Sequence, residues 1–139
     1  MRAEASAARA AAAPWLVGII RQESRFDADS FSIAGAVGVA QLVPEAARRL
    51  GATPAELKDG DRALRLAALE VARLAGRFGP HLAQVAAAYN AGETVVASWL
   101  AEFGSDPQGM LFTAAMPYRE TAGYVLAVRE GALLAGYLK

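Results

Sequence analysis

Apolar residues along the chain recur at three- and four-residue intervals, and few stretches alternate every second position. That period marks amphipathic helices and not half-buried strands. Residues 1–13 are Ala-rich and read as a weak helix or a frayed arm. Pro14 suits the first turn of a helix, where its missing N–H costs nothing; that helix carries Leu16, Ile19 and Ile20 towards Glu23. Asp27 to Gly38, rich in Ser, Asp and Gly, reads as a loop. Pro44 opens a short helix that Gly51 stops, and Pro54 to Leu57 form a single turn. A turn at Asp59-Gly60-Asp61, with Asp61 as N-cap, leads into a long helix. Leu64, Ala67, Ala68, Val71, Leu74 and Ala75 fall on one face of it, with Arg65, Arg73 and Arg77 off that face. Gly79-Pro80 breaks it. Helices over 81–90 and 93–103 follow, then a Gly- and Pro-punctuated link over 104–117. A last helix runs over 118–138 and is loosened at Gly123, Gly131 and Gly136. The prediction is a mainly α, single-domain fold: an arm over 1–13 and one folded unit over 14–139, without repeats or an internal boundary.

Composition narrows the chemistry more than the fold. The 139 residues are 55% hydrophobic, enough to build one core. Lys+Arg and Asp+Glu balance at 14 each, which argues against a nucleic-acid partner or an anionic membrane surface. There are no cysteines, so disulfides and thiolate metal sites are excluded. With His81 as the single histidine, placed in the first turn of its helix, a His-based metal cluster or a Ser-His-Asp triad is not expected. Acid–base chemistry would rest mainly on carboxylates, with Tyr or Lys as lesser options. No apolar run reaches the ~18 residues of a membrane span. The N-terminus carries Arg2, Glu4 and Arg9 and lacks the continuous apolar stretch of a signal peptide. For work outside the cytoplasm, the chain is expected to be part of a longer protein or to be delivered by other means.

Glu23 is the carboxylate to examine first. It lies four positions after Ile19 and three after Ile20, so the three share one helical face, while Arg21 and Arg25 turn elsewhere. A carboxylate facing inward without a local basic partner has its pKa raised by desolvation. A carboxylic acid still protonated near neutral pH is what general acid catalysis requires. On spacing alone, a surface glutamate near a helix end, with backbone contacts, is the more ordinary reading.

Three ordered motifs change that balance. The first runs from Arg21-Gln22-Glu23-Ser24-Arg25-Phe26 through Ser32-Ile33-Ala34-Gly35-Ala36-Val37-Gly38-Val39-Ala40-Gln41-Leu42-Val43-Pro44. The second is Ala87-Ala88-Tyr89-Asn90-Ala91-Gly92, and the third is Pro117-Tyr118-Arg119-Glu120-Thr121-Ala122-Gly123-Tyr124-Val125. Together these resemble the soluble lytic transglycosylases of glycoside hydrolase family 23. That family has a Glu-Ser pair, a Ser-x-x-Gly-Ala loop with Gly-Leu-Met-Gln and a following Met-Pro, then Ala-Tyr-Asn-Ala-Gly and Pro-Phe-x-Glu-Thr-x-x-Tyr-Val. The resemblance covers most of the chain from Pro14 onward and implies a lysozyme-like helical fold with a substrate groove.

The resemblance further implies Glu23 as catalytic acid and base. Ser32 corresponds to a loop serine near the substrate's N-acetyl group, and Gln41 to a glutamine lining the sugar cleft. Tyr89 corresponds to a tyrosine beside the catalytic carboxylate, Asn90 to its neighbour in the cleft, and Glu120 to a substrate contact. Each has a purely structural alternative. Tyr89 sits at core spacing, and its buried phenol needs a partner, for which Glu23 is a candidate. Asn90 suits a helix C-cap, Gln41 a bond to its own loop backbone, Ser32 a turn, and Glu120 the first turn of a helix. Trp15 and Trp99 read as packing anchors. The chain departs from the family pattern at Val39, Ala40 and Val43, where the family has Leu and Met, and at Ala63, Ala67 and Glu70, where it has Asn, Gly and Tyr.

The implied reaction cuts the β-1,4 bond after N-acetylmuramic acid in peptidoglycan and closes a 1,6-anhydro ring, with no metal or organic cofactor, in a monomer of the bacterial envelope. The alternatives are a hydrolytic lysozyme, which leaves a reducing end, and a peptidoglycan-binding module without turnover.

Overall fold

The computed structural model describes residues 14–79, 82–103 and 118–137. The arm read over 1–13, the link read over 104–117 and His81 lie outside the described residues. Helix α1 occupies residues 14–24. It is followed by α2 (Pro44–Arg49), a 3-10 turn η1 (Pro54–Lys58), α3 (Gly60–Phe78), α4 (Leu82–Ala91), α5 (Glu93–Phe103) and α6 (Arg119–Tyr137). Among the described residues, β structure is limited to isolated bridges of Val37 with Phe31 and with Leu42. The helical prediction therefore holds, with local corrections.

At the start of α3 the cap is Asp59 and not Asp61. The Asp59 carboxylate accepts the Arg62 N–H at 3.0 Å, so the helix begins at Gly60, earlier than the turn reading placed it. The buried stripe of α3 is also rotated. It comprises Ala63, Leu66, Ala67, Glu70, Val71, Leu74 and Phe78, whereas Leu64 and Ala68 face outward. An acid at position 70 hid this stripe from a hydrophobicity reading. Glu70 is tolerated inside because it is paired, to Arg49 at 2.9 Å and to Arg73 at 2.8 Å. Arg73 also pairs with Glu93, at 3.0 Å, and Arg77 with Glu93 at 2.7 Å. One chain of charges thus ties α2, α3 and α5 together.

Helix α6 runs unbroken through Gly123, Gly131 and Gly136. Gly131 does not loosen it; it permits contact. A Cβ there would lie 2.9 Å from the Gly18 Cα, and a Cβ on Gly18 would run into the Val128 carbonyl. The paired glycines let α1 and α6 touch backbone to backbone, which brings the end of α1 beside the first turns of α6.

Helix α4 is central and packs on α3, α5 and α6. Its Ala-rich face buries Val85, Ala86, Ala87 and Ala88. Two apolar clusters form around it. One joins Ile19 with Leu74, Val85, Val96, Trp99, Tyr124 and Val128; the other joins Ile20 with Val39, Leu42, Leu57 and Leu66. Trp99 is buried and Trp15 partly buried against the first cluster, as packing anchors should be. Ile19 and Ile20 enter different clusters, so Glu23, one turn further along α1, sits at the seam. Tyr89 packs against both clusters from the other side.

Candidate active site

Helix α1 stops just past Glu23, and the chain then turns through a constrained segment. Among the described residues, every non-glycine with positive φ lies here: Arg25 at 53°, Phe26 at 66° and Gln41 at 49°. Such conformations are costly for bulky side chains and persist only where the surroundings hold them. Three side chains do so. Ser24 donates its hydroxyl to the Val39 carbonyl at 2.6 Å. Gln41 donates Nε2 to the carbonyls of Ser30 and Gly38, at 3.0 and 2.9 Å. Tyr89 donates its hydroxyl to the Ala40 carbonyl at 2.7 Å. Ser32 accepts the Ala36 N–H at 3.0 Å, which closes the tip of the loop. The loop is thereby pinned to α1 on one side and α4 on the other.

These bonds decide several open readings. Gln41 has both amide protons committed to its own loop, which leaves only its carbonyl oxygen for a ligand. Ser32 is a turn hydroxyl whose own proton remains available. The buried phenol of Tyr89 is satisfied by Ala40 and not by Glu23. Asn90 is no simple cap, because its Oδ1 accepts the Thr121 hydroxyl at 2.8 Å, across from α4 to α6, which leaves its Nδ2 protons free to donate.

The partner of Glu23 is Tyr124, which donates its hydroxyl to Oε1 at 2.9 Å. Reading the sequence missed this residue, although it stands in the third motif, four positions after Glu120. Helical spacing alone places it on the face of Glu120 and Thr121.

Electrostatics follow from that packing. Burial pushes the Glu23 carboxyl up to about 7, and the Tyr124 hydrogen bond opposes this without reversing it. No basic side chain and no second carboxylate contributes to the shift. An ordinary carboxyl near 4.5 is roughly 0.3% protonated at pH 7, whereas one at about 7 is half protonated. Both neighbouring phenols are pushed up, first by burial and then by the Glu23 charge; Tyr89 also feels Glu70, and Tyr124 feels Tyr89. They remain neutral and can only donate or accept hydrogen bonds. The arrangement suits one carboxyl that gives and then recovers a proton near neutral pH.

Beside it, a cleft of about 360 Å³ is lined by Asn90, Ala91, Tyr118, Arg119, Glu120 and Thr121. Glu23, Gln41 and Tyr89 do not line this cleft. Tyr124 connects the two, since it follows Thr121 by three positions on α6 and holds Glu23.

The fold and site together are a helical scaffold with one carboxyl raised by burial, next to an open cleft whose lining is mostly apolar. The chain belongs to the transglycosylase SLT domain family, whose model matches residues 1–111. It is 28% identical over 119 residues to the soluble lytic murein transglycosylase of Escherichia coli, an alignment that covers 80% of this chain and 18% of that protein. Among solved structures it superposes on the 70 kDa soluble lytic transglycosylase Slt70 of E. coli with a TM-score of 0.85 and 26% identity, covering 90% of this chain and 22% of that one. It also superposes on lytic transglycosylase Slt of Pseudomonas aeruginosa, solved as an inactive glutamate-to-glutamine mutant, with a TM-score of 0.82 and 30% identity over 97% of this chain and 23% of the other. The chain spans about a fifth of the length of these relatives.

Proposed function

We propose that this chain is a lytic transglycosylase acting on peptidoglycan, with Glu23 as its acid and base. The observation that carries the reading is the Glu23 carboxyl, raised to about 7 by burial with a phenol as its hydrogen-bond partner and no second carboxylate contributing to the shift. Hydrolysis by the usual scheme needs two carboxylates. Cleavage by intramolecular attack needs one.

In the proposed reaction Glu23 protonates the bridging oxygen between N-acetylmuramic acid and N-acetylglucosamine, and the bond to C1 breaks. The 2-acetamido oxygen stabilises the electron-poor C1. Glu23, now a carboxylate, takes the proton from the muramic C6 hydroxyl, and O6 closes on C1. Protons balance, no water is consumed, and the product is a 1,6-anhydromuramoyl end. Effective molarities of well-oriented groups reach ~10⁵–10⁸ M, so an internal hydroxyl outcompetes water when held in place. The Tyr124 bond to Oε1 leaves Oε2 for the substrate. The free Ser32 proton, the Gln41 carbonyl oxygen, the Asn90 Nδ2 and the exposed Glu120 carboxylate are the proposed glycan contacts, with Tyr89 holding the loop that carries Gln41.

The domain is proposed to act as a monomer, and no helix among the described residues is long and apolar enough to cross a membrane. The substrate places the activity in the bacterial envelope. Mass spectrometry of muropeptides released from purified sacculi tests the reading. Anhydromuramoyl ends are expected. Dominant reducing ends would make the enzyme a hydrolase, and binding without release would make it a glycan-binding module.

A further inference from the structure

The proposed reaction leaves the cation at the mouth of the 360 Å³ cleft unused. Arg119 is exposed and lines that cleft, yet it pairs with none of the described acids; the ion pairs among the described residues engage Arg49, Arg62, Arg73 and Arg77. It is also the first residue of α6, where the helix macrodipole opposes a positive side chain. Local structure therefore gives no reason for an arginine here. The family motif leaves this position variable, so the shared chemistry does not supply a reason either.

The surrounding groups describe a ligand. Asn90 offers two N–H donors, because its carbonyl oxygen is held by Thr121. Tyr118 is 52% exposed, with its ring edge-on to Trp99 at 5.0 Å and 87°, and forms a flat wall of fixed orientation. Arg119 adds a planar cation that matches a carboxylate in a two-point grip. Thr121, on the wall of the cleft, precedes Tyr124, whose phenol holds Glu23, by about one helical turn on α6. Under the proposed reaction a ligand in the cleft would lie near the bond to be cut.

We propose that Arg119 recognises a carboxylate carried on the lactyl ether of the muramic residue and so distinguishes peptidoglycan from uncharged N-acetylglucosamine polymers. The inference rests on the peptidoglycan reading above. A glycan backbone is neutral; only the muramic substituent brings an anion. That anion is either a carboxylate of the stem peptide or, on a strand without peptides, the lactyl carboxylate itself. Arg119 on an exposed first turn is expected to be dispensable for folding.

Calorimetry on the full chain carrying Glu23→Gln, to prevent turnover, tests this with three soluble ligands of equal glycan length. They are a peptide-bearing muramoyl oligomer, the same oligomer stripped of peptide, and a chito-oligosaccharide. Arg119→Gln is expected to weaken at least one muramoyl ligand about tenfold and to leave the chito-oligosaccharide within about twofold. Loss confined to the peptide-bearing ligand assigns the stem carboxylate, and loss confined to the stripped ligand assigns the lactyl group. Arg119→Lys, which keeps the charge but not the fork, should recover part of the loss. Unchanged affinity for both muramoyl ligands, or equal loss on all three, overturns the assignment while leaving the proposed function standing. If the parent chain binds none of the three, the peptidoglycan reading falls and this inference with it.

Discussion

Glu23 and Glu70 are both glutamates on helical faces turned inward, and their surroundings make them opposites. Glu70 lies against Arg49 and Arg73, and through Arg73 it joins Glu93 and Arg77. Glu23 has a phenol and an apolar seam. In the network, charge is compensated where it stands: the Arg73 and Arg77 guanidiniums hold the Glu93 carboxyl down at about 2. At the site, charge is left without a counter-ion, and the carboxyl rises to about 7. The network holds α2, α3 and α5 in register. The site keeps a proton available where a glycan would lie. Both are sequence-distant assemblies of the same side chain, and the environment separates a structural acid from the one proposed to react.

The sharpest way to break that contrast is Glu23→Gln. General acid catalysis alone is worth typically ~10²–10⁴-fold, and with both proton roles lost the activity on sacculi should vanish within detection. The same variant should gain stability. A folded-state pKa of about 7, above the ordinary 4.5, means that the folded protein binds more protons than the unfolded chain between those values. Stability from this group is therefore complete below pH 4.5 and falls as pH rises through 7. At pH 8, Glu23→Gln should be more stable than the parent by on the order of 2 kcal/mol, and near equal at pH 4. Turnover at the parent rate by the folded variant would return Glu23 to the class of structural acids.

Glu70→Gln addresses the other half of the comparison. It leaves two guanidiniums facing a neutral amide, and hydrogen bonds to charged groups are worth about 1.5–3 kcal/mol. Urea denaturation at pH 7 should show a loss of about 2 kcal/mol. A loss under 0.5 kcal/mol would mean that the charge chain does not brace the helices.

Tyr124→Phe tunes the site without removing its acid. The phenol lowers the Glu23 pKa, so its deletion should move the alkaline limb of kcat/KM from near pH 7 to higher pH. The rate at pH 6 should fall about tenfold, equivalent to about 1.4 kcal/mol, because the carboxyl loses its orienting donor. An unmoved limb would show that Tyr124 does not set the protonation of Glu23.

The smallest effect belongs to Glu93. Its folded pKa of about 2 lies below the ordinary 4.5, so its contribution is present above pH 4.5 and is lost as pH falls towards 2. Its partners are partly exposed and solvent screens the pair, which limits the contribution to about 1 kcal/mol. The stability gap between the parent and Glu93→Gln, followed by circular dichroism, should close between pH 5 and pH 2. A constant gap across that range would assign the effect to packing.

Read by itself, the amino-acid sequence determined which segments are helical, because periodicity, Pro14, Pro44, Gly51 and Gly79 act within a few residues of where they stand. It determined that Glu23 shares a face with Ile19 and Ile20, and the upward direction its pKa takes if that face is buried; the packing decided that it is. It also carried the three motifs that lead to the family. Which groups meet across elements was decided only in three dimensions. Tyr124, and not Tyr89, reaches Glu23 over a separation of 101 residues, while Tyr89 reaches Ala40 over 49. Gln41 spends its amide protons on its own loop. The buried stripe of α3 includes Glu70, whose pairing with Arg49 could not be read from α3 alone. A helical period states which residues share a face. The partner that face receives depends on how helices cross, and the crossing of α1 and α6 rests on two glycines, Gly18 and Gly131, whose missing side chains leave no pattern in hydrophobicity.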